Sequence, residues 1–447
     1  MLVLILIITF FLNYSPILAS ERNIFGLHLT QTNDIYSAAK IINSSNGDWG
    51  YATIVIRLDQ LNRQNWQEFM NNCRKFHIIP IIRLATIMEN NYWKKPETSD
   101  IDNLASFLNS LNWPTQEQHI ILFNETNHGS EWSGGVDVKS FTDISIYTYQ
   151  KLKSLNSNFV VISGALDLAA PNKNSEFKSA TDFFKEIYTY RPEYFDNLDA
   201  LGNHYYPQNS PRDYNWELGL LKKLGVKKTF PVYITETGWP HREGETKNNQ
   251  YFLAQTSANL LIKSLATWQK DPRVVAVTPF IFNYPFEPFD HFSWVDKNEN
   301  LLPAYQSVVN NPKQKNTPSQ ITSYEITSNR LPFIILTDSE YLGEISIKNT
   351  GQSIWGETNF CLPPDSTPNV TIDQICTTNN FVYPNQIEKF SYKLKIKNIP
   401  DYKEKTFISW QGLPPLEITP LNGEGTIYSP KLTPLQRLVQ YFQSWFI

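Results

Sequence analysis

The chain has 447 residues, too many for one ordinary domain, so two domains are the natural expectation. It is 41% hydrophobic and 18% charged, the balance of a folded soluble protein. Its 39 basic and 43 acidic residues leave a net charge of -4, which speaks against a nucleic-acid binder held by a phosphate-seeking field.

At the start, Leu2 to Leu12 is an apolar run broken only by Thr9, and Pro16 and the small pair Ala19-Ser20 follow it. This reads as a secretory signal spanning residues 1–20, which implies a secreted or extracytoplasmic protein. No Lys or Arg precedes the run, so a membrane anchor through residues 2–19 is the alternative reading.

From residue 23 to 312, short apolar runs alternate with amphipathic stretches. Eight runs are legible: Phe25–Leu29, Ala52–Arg57, Ile78–Leu84, Ile120–Phe123, Phe159–Ser163, Leu198–Asn203, Val232–Thr235 and Val274–Phe282. Most are continuous rather than alternating, as parallel strands covered on both faces should be. Between the last two, Leu253, Leu260, Leu261 and Trp268 share a helical face, with Ser257 and Ser264 allowing close approach to a sheet. Eight strand–helix units predict an α/β fold, a (β/α)8 TIM barrel. The rival is a doubly wound sheet, but Leu27-His28-Leu29-Thr30 stands where its glycine-rich turn would be.

Residues 313–322 read as a polar linker. Beyond them the rhythm changes to period two, as in Phe390, Tyr392, Leu394 and Ile396, and predicts a smaller all-β sandwich over 323–428. Its Trp355 and Trp410 are expected to serve the core rather than a binding platform. Cys361 and Cys376 are near enough in sequence to pair in an oxidising compartment, whereas Cys73 reads as a buried small apolar residue. The tail from 429 to 447 carries Leu435, Leu438, Val439 and Phe442 at helical spacing, which suits docking on a domain or contact with a membrane.

Two of the barrel runs end in glutamate: Ile121-Leu122-Phe123-Asn124-Glu125 and Val232-Tyr233-Ile234-Thr235-Glu236. They fall after strands four and seven. An eight-strand barrel of roughly 7 to 8 Å radius separates those strand ends by about 14 Å. Side chains reaching inward by about 4 Å each leave roughly 5 to 6 Å between carboxyls, the spacing of a retaining glycosidase. The residues themselves therefore point to cleavage of a glycosidic bond.

On these residues the chain resembles the large clan of (β/α)8 retaining glycoside hydrolases that includes cellulases, mannanases and β-xylosidases, and the sandwich resembles an immunoglobulin-like module. The resemblance implies that Glu125 is the acid/base, Glu236 the nucleophile, and Asn124 a donor to the sugar 2-hydroxyl. It implies a His-x-Tyr after strand six, matched by His204 and Tyr206, with Tyr206 bonded to Glu236. It also implies an arginine near the end of strand two supporting the nucleophile, a role that falls to Arg57, while Arg83 after strand three is left open. The clan's tryptophan at the end of strand eight is missing from Phe280-Ile281-Phe282-Asn283. Trp294 is expected to fold back as the sugar platform, with Trp239 and Trp132 as further stacking rings.

The substrate implied is a β-linked oligo- or polysaccharide, and the protein is expected to be a monomer. Neither a metal nor another cofactor is expected, because His28, His128, His241 and His291 lack the His-x-His spacing of metal-dependent barrels. A catalytically inert glycan-binding protein and a cell-wall transglycosylase are the alternatives.

Overall fold

The structure is a computed structural model that describes residues 22–246, 248–330, 334–356, 360–377, 381–397 and 406–421. The N-terminal apolar run and the amphipathic tail lie outside the described residues. None of the described helices is long and apolar enough to cross a membrane. The chain divides into two compact units, one of residues 1–111 and 117–317, the other of residues 112–116 and 318–447.

The first unit is a closed barrel. Its strands are β1 (Gly26–His28), β2 (Gly50–Arg57), β3 (Ile78–Ala85), β4 (Gln118–Ile121), β5 (Phe159–Ile162), β6 (Leu201–Tyr205), β7 (Val232–Thr237) and β8 (Val274–Val277). The first five pair in parallel in sequence order, as do the last three. Parallel bridges between Ile162 and Ala200 and between Phe25 and Val277 join the two arcs at both seams. Each expected apolar run contributes its strand, and the architecture is a (β/α)8 barrel.

Helices follow the strands and begin on side-chain caps where the sequence supplies them. Asn62 accepts from Asn65 N ahead of the helix Arg63–Lys75, and Asp137 accepts from Ser140 N ahead of the helix Val138–Leu155. The helix before the eighth strand (Ala254–Trp268) buries Ala254, Ser257, Ala258, Leu261, Leu265 and Trp268. Its buried stripe is thus rotated from the expected one: Leu253 caps the helix and is exposed, and Leu260 lies on the flank.

The barrel interior is filled in layers. Tyr51, Ile79, Ile81, Ile121, Ile162, Ala200, Tyr233 and Ala276 form one apolar cluster. Toward the carboxyl ends of the strands the lining turns polar, first with the Thr53 and Thr278 hydroxyls 2.9 Å apart. Close strand approach requires glycine at Gly202, where a Cβ would stand 2.4 Å from the Ser163 carbonyl oxygen.

The second unit is a β-sandwich. Its larger sheet joins Tyr324–Arg330, Glu340–Asn349, Ile387–Ile396 and Val370–Ile372, all antiparallel. Its smaller sheet joins Ile334–Leu336, Leu416–Leu421 and Thr406–Ile408. One core draws on both sheets, including Ile345, Tyr392, Leu394, Ile408 and Ile418. Trp355 and Trp410 are buried in it: Trp355 stacks on Phe360 at 4.1 Å, and Trp410 packs edge-on to Tyr392 and donates to the Asp373 carbonyl. Cys361 and Cys376 stand opposite each other on a short strand pair and form a disulfide. Cys73 is free and buried, and burial pushes its thiol pKa up.

Candidate active site

The polar end of the barrel gathers Glu125, His204 and Glu236, each offering one atom within 4.8 Å of the others. Glu236 owes its aim to an irregularity in β7. Asn203 pairs with Ile234, but the next residue, His204, pairs with Glu236, so Thr235 is an extra residue. Tyr233 faces the axis, and unbroken alternation would send Glu236 outward to the helices. The bulge turns it inward beside His204.

Glu125 arrives by another route. The chain leaves β4 with Phe123 at φ 61° and Glu125 at φ 26°, both left-handed and neither glycine. Backbone held there by its surroundings is a common feature of functional sites. The turn keeps Asn124 over Arg83, whose Nη1 donates to Asn124 Oδ1 at 2.7 Å and to Glu236 Oε1 at 2.5 Å. Tyr206 donates to Glu236 Oε2 at 3.0 Å. His204 lies between the two acids, with Nδ1 2.8 Å from Glu125 Oε1 and Nε2 3.7 Å from Glu236 Oε1.

These contacts set the protonation states. Burial alone would raise the Glu236 pKa, but the charges of His204 and Arg83 outweigh it and hold the carboxyl well below the usual range. His28 Nδ1 is 3.7 Å from the same oxygen. Burial pushes His28 down to about 3, so it is neutral at ordinary pH and offers a dipole, not a charge. For His204, burial lowers the pKa, yet the Glu236 and Glu125 carboxylates raise it more, and the net direction is up. Glu131, hydrogen-bonded with the Asn124 side chain, is pushed up to about 7 by burial.

Glu125, Glu236, Asn124, His204 and Tyr206 therefore meet in one cluster, while four other expected site residues do not join it. Arg57 does not support Glu236; it makes a two-pronged pair with Asp59 at 3.0 and 2.6 Å and lies over Trp93. The register explains this. Arg57 pairs with Ala85 at the rim, whereas Arg83 pairs with Val55, two residues deeper on the same inward face. Arg83 takes the place expected of Arg57.

Trp294 is not a platform: it is 1% exposed and stacks on Tyr305 at 4.3 Å. Trp132 is 2% exposed, packed against Phe123 and Phe141, and Trp239 is likewise buried. All three rings have been drawn into packing, where a large apolar face is worth more than at a wet rim. Phe280 is half-buried, edge-on to His28 at 5.3 Å, and followed by a cis peptide bond to Ile281. Next to it stand Phe289 at 5.1 Å and, beyond, the exposed Phe286.

The sequence offers His28 and His128 only as rejected metal ligands and marks no site role for Phe280, Glu131 or Asp167. A lone histidine at the end of the first run was the available signal for His28. The other two histidines considered as ligands tie loops together: His241 Nε2 donates to the Ser293 carbonyl and His291 Nδ1 to the His241 carbonyl. In the triad of Glu125, His204 and Glu236, the Arg83 guanidinium already sits on Glu236 Oε1, where a metal cation would meet like charge.

No protein-family model matches the chain, and no curated protein does. Among solved structures it is similar to a GH128 subgroup II endo-beta-1,3-glucanase from Sorangium cellulosum, at 12% identity and TM-score 0.41, covering 65% of this chain and 98% of that one. It is also similar to a Bacteroides uniformis beta-glucuronidase, at 12% identity and TM-score 0.43, covering 90% of this chain and 46% of that one. A glucosidase from Croceicoccus marinus is 9% identical, with TM-score 0.44 over 85% of this chain and 96% of that one. At such identities and scores the likeness bears on neither activity nor substrate.

Proposed function

We propose that this protein hydrolyses β-linked oligo- or polysaccharides with retention of anomeric configuration. The observation that carries the reading is the approach of the Glu125 and Glu236 carboxylates within 4.8 Å, in unlike surroundings. Retaining enzymes need about 5–5.5 Å between the two carboxyls, since one must reach the anomeric carbon itself; inverting enzymes need room for a water.

Glu236 is the nucleophile. Arg83, His204 and Tyr206 keep it ionised and pointed at the barrel axis, where it attacks the anomeric carbon and forms a glycosyl-enzyme. Glu125, 20% exposed at its side chain, is the acid that protonates the departing oxygen and then the base that takes a proton from water. Asn124 has its carbonyl held by Arg83, which leaves an amide N–H to meet the sugar 2-hydroxyl. Phe280 takes the platform position at the end of β8.

The test is a screen of aryl β-glycosides and β-glucans, with the first-formed anomer followed by proton NMR. A β product supports retention. An α product as the first-formed anomer overturns it, and no turnover on any substrate overturns the glycosidase reading. Added acceptor sugar separates hydrolysis from transglycosylation.

A further inference from the structure

We propose that His128, held by Asp167, is a positioning residue for Glu125 that presents its free oxygen for proton donation and governs how readily the proton leaves. This rests on the glycosidase reading above. Glu125 Oε1 accepts from His204 Nδ1 at 2.8 Å, which ties that oxygen down. Its other oxygen, Oε2, faces His128 Nδ1 at 4.0 Å, and the His128 backbone N–H donates to the Glu125 carbonyl at 2.8 Å. Oε2 is therefore the oxygen that carries the donated proton.

The imidazole is fixed from behind. His128 Nε2 donates to Asp167 Oδ2 at 2.9 Å, and Asp167 Oδ1 accepts from Ala169 N at 2.8 Å. Asn127, fully buried, clamps the loops after β4 and β5 together. Its amide donates to the carbonyls of Asp167 and Lys178 at 2.9 and 3.0 Å, and its Oδ1 accepts from Asp167 N at 3.1 Å. The Phe177 ring closes one side, edge-on at 4.8 Å.

The charged groups around His128 are Glu125 and Glu131 from its own loop and Asp167 from the loop after β5. In that second loop Lys173 pairs with Glu176, and Lys178 pairs with Glu186 of the following helix. His204 on β6 faces Glu125 from the far side. Burial lowers the His128 pKa, but Asp167 and Glu125 more than offset it, and the net direction is up. A cation beside Oε2 stabilises the carboxylate left after donation.

The experiment is the pH profile of kcat/KM for His128→Gln and Asp167→Asn, each on two β-glycosides, one with a dinitrophenyl and one with a sugar leaving group. Loss of the cation should raise the alkaline limb by about one pH unit. It should also slow the sugar leaving group about tenfold more than dinitrophenyl, which needs little protonation. Asp167→Asn keeps the ring but removes the charge that holds it protonated, so it carries the test where His128→Gln does not fold. Equal slowing of both substrates with an unmoved limb means the pair is only a loop clip and overturns the inference. A wild type inert toward every glycoside instead defeats the glycosidase reading.

Discussion

Glu236 and Glu217 are both buried within the barrel unit, yet they are held in opposite states. Glu217, on the helix Tyr214–Leu224, has no exposure, and Asn203 Nδ2 donates to its Oε2 at 2.5 Å. Burial dominates there and pushes its pKa up to about 8, so it is neutral at ordinary pH. Glu236 is also opposed by burial but faces Arg83, His204 and Tyr206, and it stays ionised. Burial sets the cost of a charge; the groups aimed at it decide whether that cost is met. Glu236 lies on the axis where His204 and Arg83 converge; Glu217 lies in the layer between a strand and its helix, where the charge of His204 lowers its pKa less than burial raises it.

The largest effect should come from removing the axial acid. Glu236→Ala should lower kcat on the order of 10⁴-fold or more with every leaving group, measured on aryl β-glycosides. Unchanged turnover would mean a different nucleophile. Glu125→Ala should cost about 10²–10⁴-fold with sugar leaving groups but far less with dinitrophenyl, and azide should restore turnover as a β-glycosyl azide.

Arg83→Met should lower kcat by about 10²–10³-fold. The same variant should move the acid limb of kcat/KM upward by about 1–3 pH units. The sign follows from Glu236 being active as carboxylate: its lowered pKa puts that limb at low pH, and loss of the cation lets the proton return earlier. Arg57→Met, at the rim with Asp59, should change kcat by less than about tenfold. Equal effects at both positions would refute the register argument.

The smallest effect concerns stability. Glu217 binds its proton in the folded state up to about 8 but releases it near 4.5 when unfolded. Between those values the folded state holds more protons, so stability falls as pH rises. Glu217→Gln should remove that slope and raise stability at pH 7.5 by about 1–3 kcal/mol, read from urea unfolding at pH 5 and at pH 7.5. A wild-type unfolding midpoint independent of pH across this window would show Glu217 to be ionised.

The amino-acid order alone determined the eight-strand barrel, the β-sandwich and the two glutamates at strand ends. Continuous apolar runs bounded by polar stretches are local patterns, and Asn124-Glu125 and His204-Tyr205-Tyr206 are legible within single runs. Tertiary structure decided what depends on how strands meet. The choice of Arg83 over Arg57 is a matter of register between β2 and β3, two residues of depth that neither strand encodes by itself. The inward turn of Glu236 needs the extra Thr235, visible only against β6. Trp294, Trp239 and Trp132 have the composition of a sugar platform, but whether a ring packs or faces a cleft depends on neighbours brought from far along the chain. Asp167 reaches Glu125 only through His128, across two loops joined by Asn127. Local chemistry names the acids; the long-range packing around them sets which is charged, because fields at a few ångströms come from residues remote in sequence.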